Sequence, residues 1–323
     1  MRVSAFALAL VAVLSPLAAE AQPAGKLWRI GTLSGLPPDA PRWAPFRQRL
    51  SELGYVEGRN IILEGRVSGG RAERFTDLAG ELARLNVDVI VATDNPAIAA
   101  AQRATKTIPI VMVVAQDPVA SVFAESLARP GGNITGVSTM GTDLQGKMLQ
   151  VLKEAVPVAT RVGILWVPTE PGREVQAKEA EVAARALRMQ PLSVEVRDPA
   201  ALDVIFEGMA RDKLHAVHVH PSQMTFAHRE RIAALAAKHR LPSIGSSAWY
   251  AEAGGLLAYG AKDSDLYDRA AYYVAKILDG AKPRNLPIWQ PTKFELKINL
   301  KTAKALGLTI PTPLLQRADL FIQ

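Results

Sequence analysis

Short β-branched runs alternate with longer amphipathic segments along nearly the whole chain, and the alternation starts twice. In the first half the apolar runs are Arg29–Ser34, Asn60–Val67, Val87–Thr93, Pro109–Ala115 and Ile134–Thr139. Phe75, Leu78, Ala79, Leu82 and Leu85 between them fall on one helical face. Val-Asp-Val-Ile-Val-Ala (87–92) and Ile-Val-Met-Val-Val (110–114) are almost continuously apolar. Parallel strands covered by helices on both faces have that pattern. The plan restarts at Arg161, with strands predicted at Val162–Trp166, Leu192–Val196, Ala216–His220, Ser243–Gly245 and Leu256–Gly260. Helices are predicted at Arg173–Met189, Ala200–Arg211 and Phe226–His239. The fold class is therefore α/β, with two doubly wound parallel-sheet lobes.

The polar stretches Met140–Asp143 and Ala261–Ser264 are the predicted linkers. Beyond them come an amphipathic helix over Leu266–Leu278, an extended stretch at Pro283–Pro291, and a strand then helix over Phe294–Gly307. These are too few elements for a third domain, so they must add to the existing lobes. The expected limits are 26–139 plus 262–292 for one lobe and 142–260 plus 294–323 for the other, joined by three crossovers. Open parallel sheets bind ligands beyond the carboxyl ends of their strands, so two facing sheets form a cleft able to close on a small molecule.

The N-terminus reads as an export leader over residues 1–21. Arg2 precedes the apolar stretch Ala5–Leu14, Pro16 breaks it, and Ala19-Glu20-Ala21 gives a small-x-small cleavage site before Gln22. A run this short falls below the roughly 20 residues that span a bilayer. The chain has no cysteine, which removes a lipid anchor, disulfides and thiol nucleophiles. The expected location is periplasmic, soluble and not membrane-embedded. The net charge of +7 is dispersed, and its densest stretch, His228–Arg240, lies on a helix. No basic run is interleaved with stacking aromatics, so no nucleic acid partner is expected.

Several motifs stop short of chemistry. Gly141-Thr-Asp-Leu-Gln-Gly-Lys147-Met148 follows the phosphate-loop pattern until Met148, where magnesium requires a hydroxyl. Gly136-Val-Ser138-Thr-Met140 lacks the second glycine of a serine nucleophile elbow. His218 and His220 share one strand face, a geometry open to metal ligation but more simply explained by packing, with His220 at the cleft end. No cofactor or metal is expected.

Polar residues at strand ends are the candidate ligand contacts. They are Ser34, Thr93, Asn95, Gln116, Asp117, Thr139, Thr169, His220, Ser246 and Trp249. Asn95-Pro96 and Asp117-Pro118 have helix-start chemistry, and the free amides of such a start favour a carboxylate. Trp249 and Tyr250 could wall the cleft or pack in the core.

Gly54-Tyr-Val-Glu-Gly-Arg-Asn-Ile61, Thr107-Ile-Pro-Ile-Val111, Asp117-Pro-Val119 and Leu127-Ala-Arg-Pro-Gly-Gly-Asn-Ile-Thr-Gly136 resemble segments of a large family of ABC-transporter substrate-binding proteins. So do Glu252-Ala-Gly-Gly-Leu256, Tyr259-Gly260, Gln290-Pro-Thr-Lys-Phe-Glu-Leu296 and Ile298–Pro311. The resemblance implies the type 1 periplasmic binding-protein fold, two lobes with three crossovers and a solute between them. It implies ligand contacts from the Thr93–Pro96 loop and from Asp117, and a membrane permease as partner. Some members serve aromatic amino acids. Val167-Pro-Thr-Glu170 and His220-Pro-Ser222 depart from the family pattern in the second lobe, where specificity should be set. The expected ligand is small and polar or amphipathic, amino-acid-like or another carboxylate. Two other readings use the same cleft: an exported enzyme pairing Asp117 or Glu170 with His220, or a partner that presents its ligand to a sensor protein.

Overall fold

The computed structural model describes residues 26–323, so the leader expectation lies outside the described residues. The first lobe carries β1 (Trp28–Ser34), α1 (Ala44–Glu52), β2 (Ile61–Val67), α2 (Phe75–Arg84), β3 (Val89–Ala92), α3 (Asn95–Ala104), β4 (Ile110–Ala115) and β5 (Ile134–Ser138). Its five strands are parallel in the order β2-β1-β3-β4-β5. Successive residues of β3 enter different helical layers. Ile90 and Ala92 pack with α2 and α3, while Val89 and Val91 face Trp43 and Phe46. Burial on both faces is why the strand lacks polar alternation.

The second lobe holds α4 (Gln145–Ala155), β6 (Arg161–Trp166), α5 (Arg173–Ala186), β7 (Gln190–Glu195), α6 (Leu202–Arg211), β8 (Ala216–Val219), α7 (Gln223–Ala227), α8 (Arg229–Lys238), β9 (Ser243–Gly245), α9 (Ala248–Glu252) and β10 (Leu257–Ala261). The strand order β7-β6-β8-β9-β10 repeats that of the first lobe. One predicted helix, Phe226–His239, is two helices, α7 and α8, meeting at His228. The start lies earlier because Ser222 and Thr225 form a reciprocal capping box: Ser222 Oγ accepts from Thr225 N at 2.9 Å and Ser222 N donates to Thr225 Oγ1 at 2.8 Å.

The chain then returns. α10 (Asp263–Leu278) lays Leu266, Tyr267, Ala270, Val274 and Ile277 on the first sheet, in one core with Ile30, Val111 and Val137. Trp289 bridges to Val137 on β5. The third crossing leads to β11 (Phe294–Asn299), antiparallel to β10, followed by α11 (Leu300–Ala305), α12 (Thr312–Leu315) and β12 (Leu320–Ile322). The result is two parallel-dominated sheets joined by three crossovers. The strand order reverses direction between β1 and β3 and between β6 and β8, so each lobe opens a crevice toward the other there. No helix among the described residues is long and apolar enough to cross a membrane.

Candidate functional site

Loops from the carboxyl ends of both sheets enclose a cavity of two adjoining compartments, about 60 and 40 Å³. Ser34 at the end of β1, and Thr93 and Asp94 after β3, line the first compartment from one lobe; Arg173, Ser222 and Gln223 line it from the other. Thr139, Gln145, Ser246 and Asp263 line the second compartment beside apolar Met148 and Leu266. Arg42, Val114, Gln116, Pro221 and Trp249 border both. The lobes touch around this gap: a β-carbon on Gly35 would collide with the Gln223 amide across the cleft, and Asn95 Nδ2 donates to Pro171 O at 3.1 Å. At roughly 10–15 Å³ per water, the closed gap holds several waters, and a guest bearing a ring requires the lobes to part further.

The cavity wall is charged in both senses. Asp94 is the N-cap of α3; its Oδ1 accepts from Ala97 N at 3.1 Å, and its Oδ2 accepts from Thr93 Oγ1 at 3.1 Å. Burial pushes this carboxyl up to about 7, helped by the charge of Glu170. Arg42 pairs with Asp263 at 3.0 Å, which also accepts from Ser247 Oγ at 3.1 Å, while Arg42 Nε finds no acceptor in the protein. The Arg42 guanidinium lies 5.0 Å from the Phe226 ring of the facing lobe, and Phe226 meets Trp249 edge to face at the cavity mouth. Arg173 is buried. Its Nε and Nη2 donate to Glu170 Oε2 at 3.1 and 3.0 Å, and its Nη1 donates to Gln176 Oε1 at 3.1 Å. Glu170 Oε1 accepts from Gln223 N at 3.0 Å. Burial raises the Glu170 carboxyl and Arg173 opposes that rise.

Of the residues expected from the sequence, Ser34, Thr93, Gln116, Thr139, Ser246 and Trp249 border the cavity. Asn95, Asp117, Thr169 and His220 do not. Asn95 is buried and joins loops, donating to Gln116 O at 2.9 Å and Ser121 Oγ at 3.0 Å and accepting from Gln116 N at 2.8 Å. The cap of α3 is Asp94, one residue before the expected Asn95, because the extended backbone at Asp94 turns its carboxylate onto the Ala97 amide. Asp117 starts a turn instead of a helix: its φ is 44°, Oδ1 accepts from Ala120 N at 3.1 Å, and Oδ2 accepts from Thr142 Oγ1 at 3.1 Å. Thr169 is exposed in a separate groove of about 830 Å³. Tyr250 is core, packed with Phe206 and Val219.

His220, just past β8, is fully buried with its ring 4.6 Å from that of His218, and it is Pro221, not His220, that borders the cleft. Burial lowers His218 to about 3, and burial together with His218 and Arg173 holds His220 well below its usual range. The pair has no third ligand: no group of three or more His, Cys, Asp or Glu able to hold a metal occurs among the described residues. A proton-transfer pair of Asp117 or Glu170 with His220 is not assembled, since Glu170 is bound to Arg173 and Asp117 is turned away. In the phosphate-loop-like segment, α4 begins only at Gln145, and Met148 is an apolar residue shared by the second-lobe core and the wall of the second compartment.

Sequence reasoning missed Arg42, Arg173 and Asp263. Gly172 at φ 76° directly before Arg173 was the available signal for a shaped helix entry at this loop. Asn95→Ala would leave the buried Gln116 N–H unpaired and its carbonyl with only the Ser121 hydroxyl, and a loss of about 1–3 kcal/mol is expected, read as a lower denaturant midpoint.

A family model described as ABC transporter substrate binding protein matches residues 43–322. The chain belongs to this family. A tyrosine-binding protein of Clostridioides difficile strain R20291 is 24% identical over 264 residues, covering 81% of this chain and 75% of that protein. The substrate-binding chain also shares its fold with a conserved domain protein of Vibrio cholerae O1 biovar El Tor, at 25% identity and a TM-score of 0.84. That alignment covers 92% of this chain and 100% of the other. An ABC domain from Streptococcus pneumonia in complex with L-Trp gives a TM-score of 0.84 at 24% identity, covering 91% and 99% of the two chains.

Proposed function

We propose that this substrate-binding protein works in the periplasm as the receptor of an ABC importer, trapping an amino-acid-like zwitterion between its lobes for delivery to a permease. The observation that carries the reading is one small cavity presenting Asp94 together with Arg42 and Arg173, charges of both signs drawn from both lobes. Asp94 takes the ligand ammonium. The unpaired Nε of Arg42 and the outer edge of Arg173 take the carboxylate, with the Ser34 hydroxyl beside them. The tyrosine-binding relative and the L-Trp complex support an amino acid as guest, and the leader-like first 21 residues support export.

Contacts made from both lobes exist only when the cleft is shut, so a ligand that makes them shifts the open–closed equilibrium toward the closed state. The test is thermal unfolding with each of the twenty standard amino acids, alongside simple carboxylates and simple amines. A cognate zwitterion at a hundred times its Kd should add about 2.7 kcal/mol of stability, with acetate and methylamine inert. Stabilisation by carboxylates lacking an ammonium, equal to that by amino acids, would refute the reading.

A further inference from the structure

Three glutamines from separate elements converge on Gly141 in the first crossover. Gln116 follows β4, Gln145 opens α4 and Gln176 lies in α5. Gln145 Nε2 donates to Gly141 O. A β-carbon at Gly141 would collide with Gln116 Oε1 and lie 3.3 Å from Gln176 Nε2. The three residues are 4%, 2% and 0% exposed. Even so, Gln116 Oε1, Gln145 Oε1 and Gln176 Nε2 have no hydrogen-bond partner in the protein. Buried amide atoms are almost always paired, because leaving one unpaired costs free energy.

Neighbouring bonds fix which ends of Gln145 and Gln176 are free. Gln145 spends its amide nitrogen on Gly141 O, and Gln176 spends its oxygen on Arg173 Nη1. Gln145 Oε1, Gln176 Nε2 and the unpaired carboxamide of Gln116 therefore remain, beside a compartment walled by apolar Val114, Leu144, Met148, Leu266 and Trp249 and by polar Arg42, Thr139, Ser246, Ser247 and Asp263. Gln116 and Gln145 themselves border that compartment, which adjoins the charged one.

We propose that Gln116, Gln145 and Gln176 form a second recognition point, which reads a group on the ligand side chain that both donates and accepts hydrogen bonds, a hydroxyl or a carboxamide. The proposal rests on the zwitterion reading above and adds the class of side chain. A ligand with the zwitterionic head and a hydrocarbon side chain would seal the glutamines from water without pairing them. A site built to bond a hydroxyl rejects the analogue that lacks it more strongly than an apolar pocket rejects an added one.

The test uses matched ligands differing in one hydroxyl: L-tyrosine against L-phenylalanine, and L-threonine against L-valine, by calorimetric titration of the full mature protein. In at least one pair the hydroxyl ligand should bind tenfold tighter or more. In Gln145→Met, which keeps the side-chain length, that ratio should fall to threefold or less. Gln176→Leu is the second variant, carrying the same expectation if Gln145→Met does not fold. Hydroxyl and hydrocarbon partners binding within twofold in the unmodified protein would overturn the inference and leave the zwitterion reading intact. Silence from all twenty amino acids would remove both.

Discussion

Asp94→Asn is expected to yield a protein that is more stable at pH 7.5 and holds its ligand ten- to a hundredfold more weakly. The weakening follows from removing one charge-assisted bond, worth about 1.5–3 kcal/mol. The stabilisation follows from linkage. In the folded protein burial raises this carboxyl from its ordinary 3.8 to about 7, so the native state binds the proton more tightly than the unfolded chain. Ionised Asp94 therefore costs stability above pH 7, and the cost fades as the pH falls toward 4. At 1.36 kcal/mol per pKa unit the ceiling is about 4 kcal/mol, and the open cavity side reduces this to about 2–4 kcal/mol. Asparagine keeps the cap on α3 without the charge. The histidines run the other way. His218, lowered to about 3, and His220, lowered well below its usual range, stay neutral when folded. Their contribution is complete above pH 6.5 and is lost at about 1.4 kcal/mol per histidine per pH unit as acid charges the unfolded chain. In the unmodified protein Asp94 offsets part of that loss. The variant should therefore melt higher at pH 7.5, converge with the unmodified protein near pH 4, and show the steeper acid slope. Parallel melting curves from pH 4.5 to 8 would refute this account.

How far the site was readable follows from the same residues. Val89–Ala92 and Ile110–Ala115 announced parallel strands because both their faces are buried, and the strand-end rule then placed Ser34, Thr93, Gln116, Thr139 and Ser246 near the gap. What the rule could not supply is direction at the level of one side chain. Asp94 and Asn95 are adjacent, yet one borders the cavity and the other is turned inward to bond the Gln116 peptide. His220 follows the last residue of β8 and is buried away from the cluster that holds Val217 and Val219, and the next residue, Pro221, borders the cleft instead. Arg42 and Arg173 look in sequence like ordinary surface charges at helix entries. Their value depends on partners distant in the chain or across the lobes, Asp263 and Phe226 for Arg42 and the cavity itself for Arg173. Local pattern encodes burial; it does not encode which lobe a charge will face.

Arg173→Met should lower the melting temperature by roughly 10 °C, from a loss of about 3–5 kcal/mol at about 2–4 °C per kcal/mol. The reason lies in what remains behind. Glu170 is buried, and without the guanidinium it keeps only the Gln223 amide, while Gln176 Oε1 loses its donor. An uncompensated buried carboxylate costs more than the ion pair contributed, because both charges had already been desolvated. Glu170→Gln added to Arg173→Met removes the orphaned charge while retaining an acceptor for the Gln223 amide, so the double variant should recover most of the lost stability. Ligand affinity should not recover with it, since the cation facing the cavity is gone from both proteins. Calorimetric unfolding of the two variants, paired with amino-acid titration of each, separates Arg173 as a structural partner of Glu170 from Arg173 as a ligand contact. If the double variant regains both stability and binding, the guanidinium serves only the ion pair, and the carboxylate anchor must be assigned to Arg42 alone.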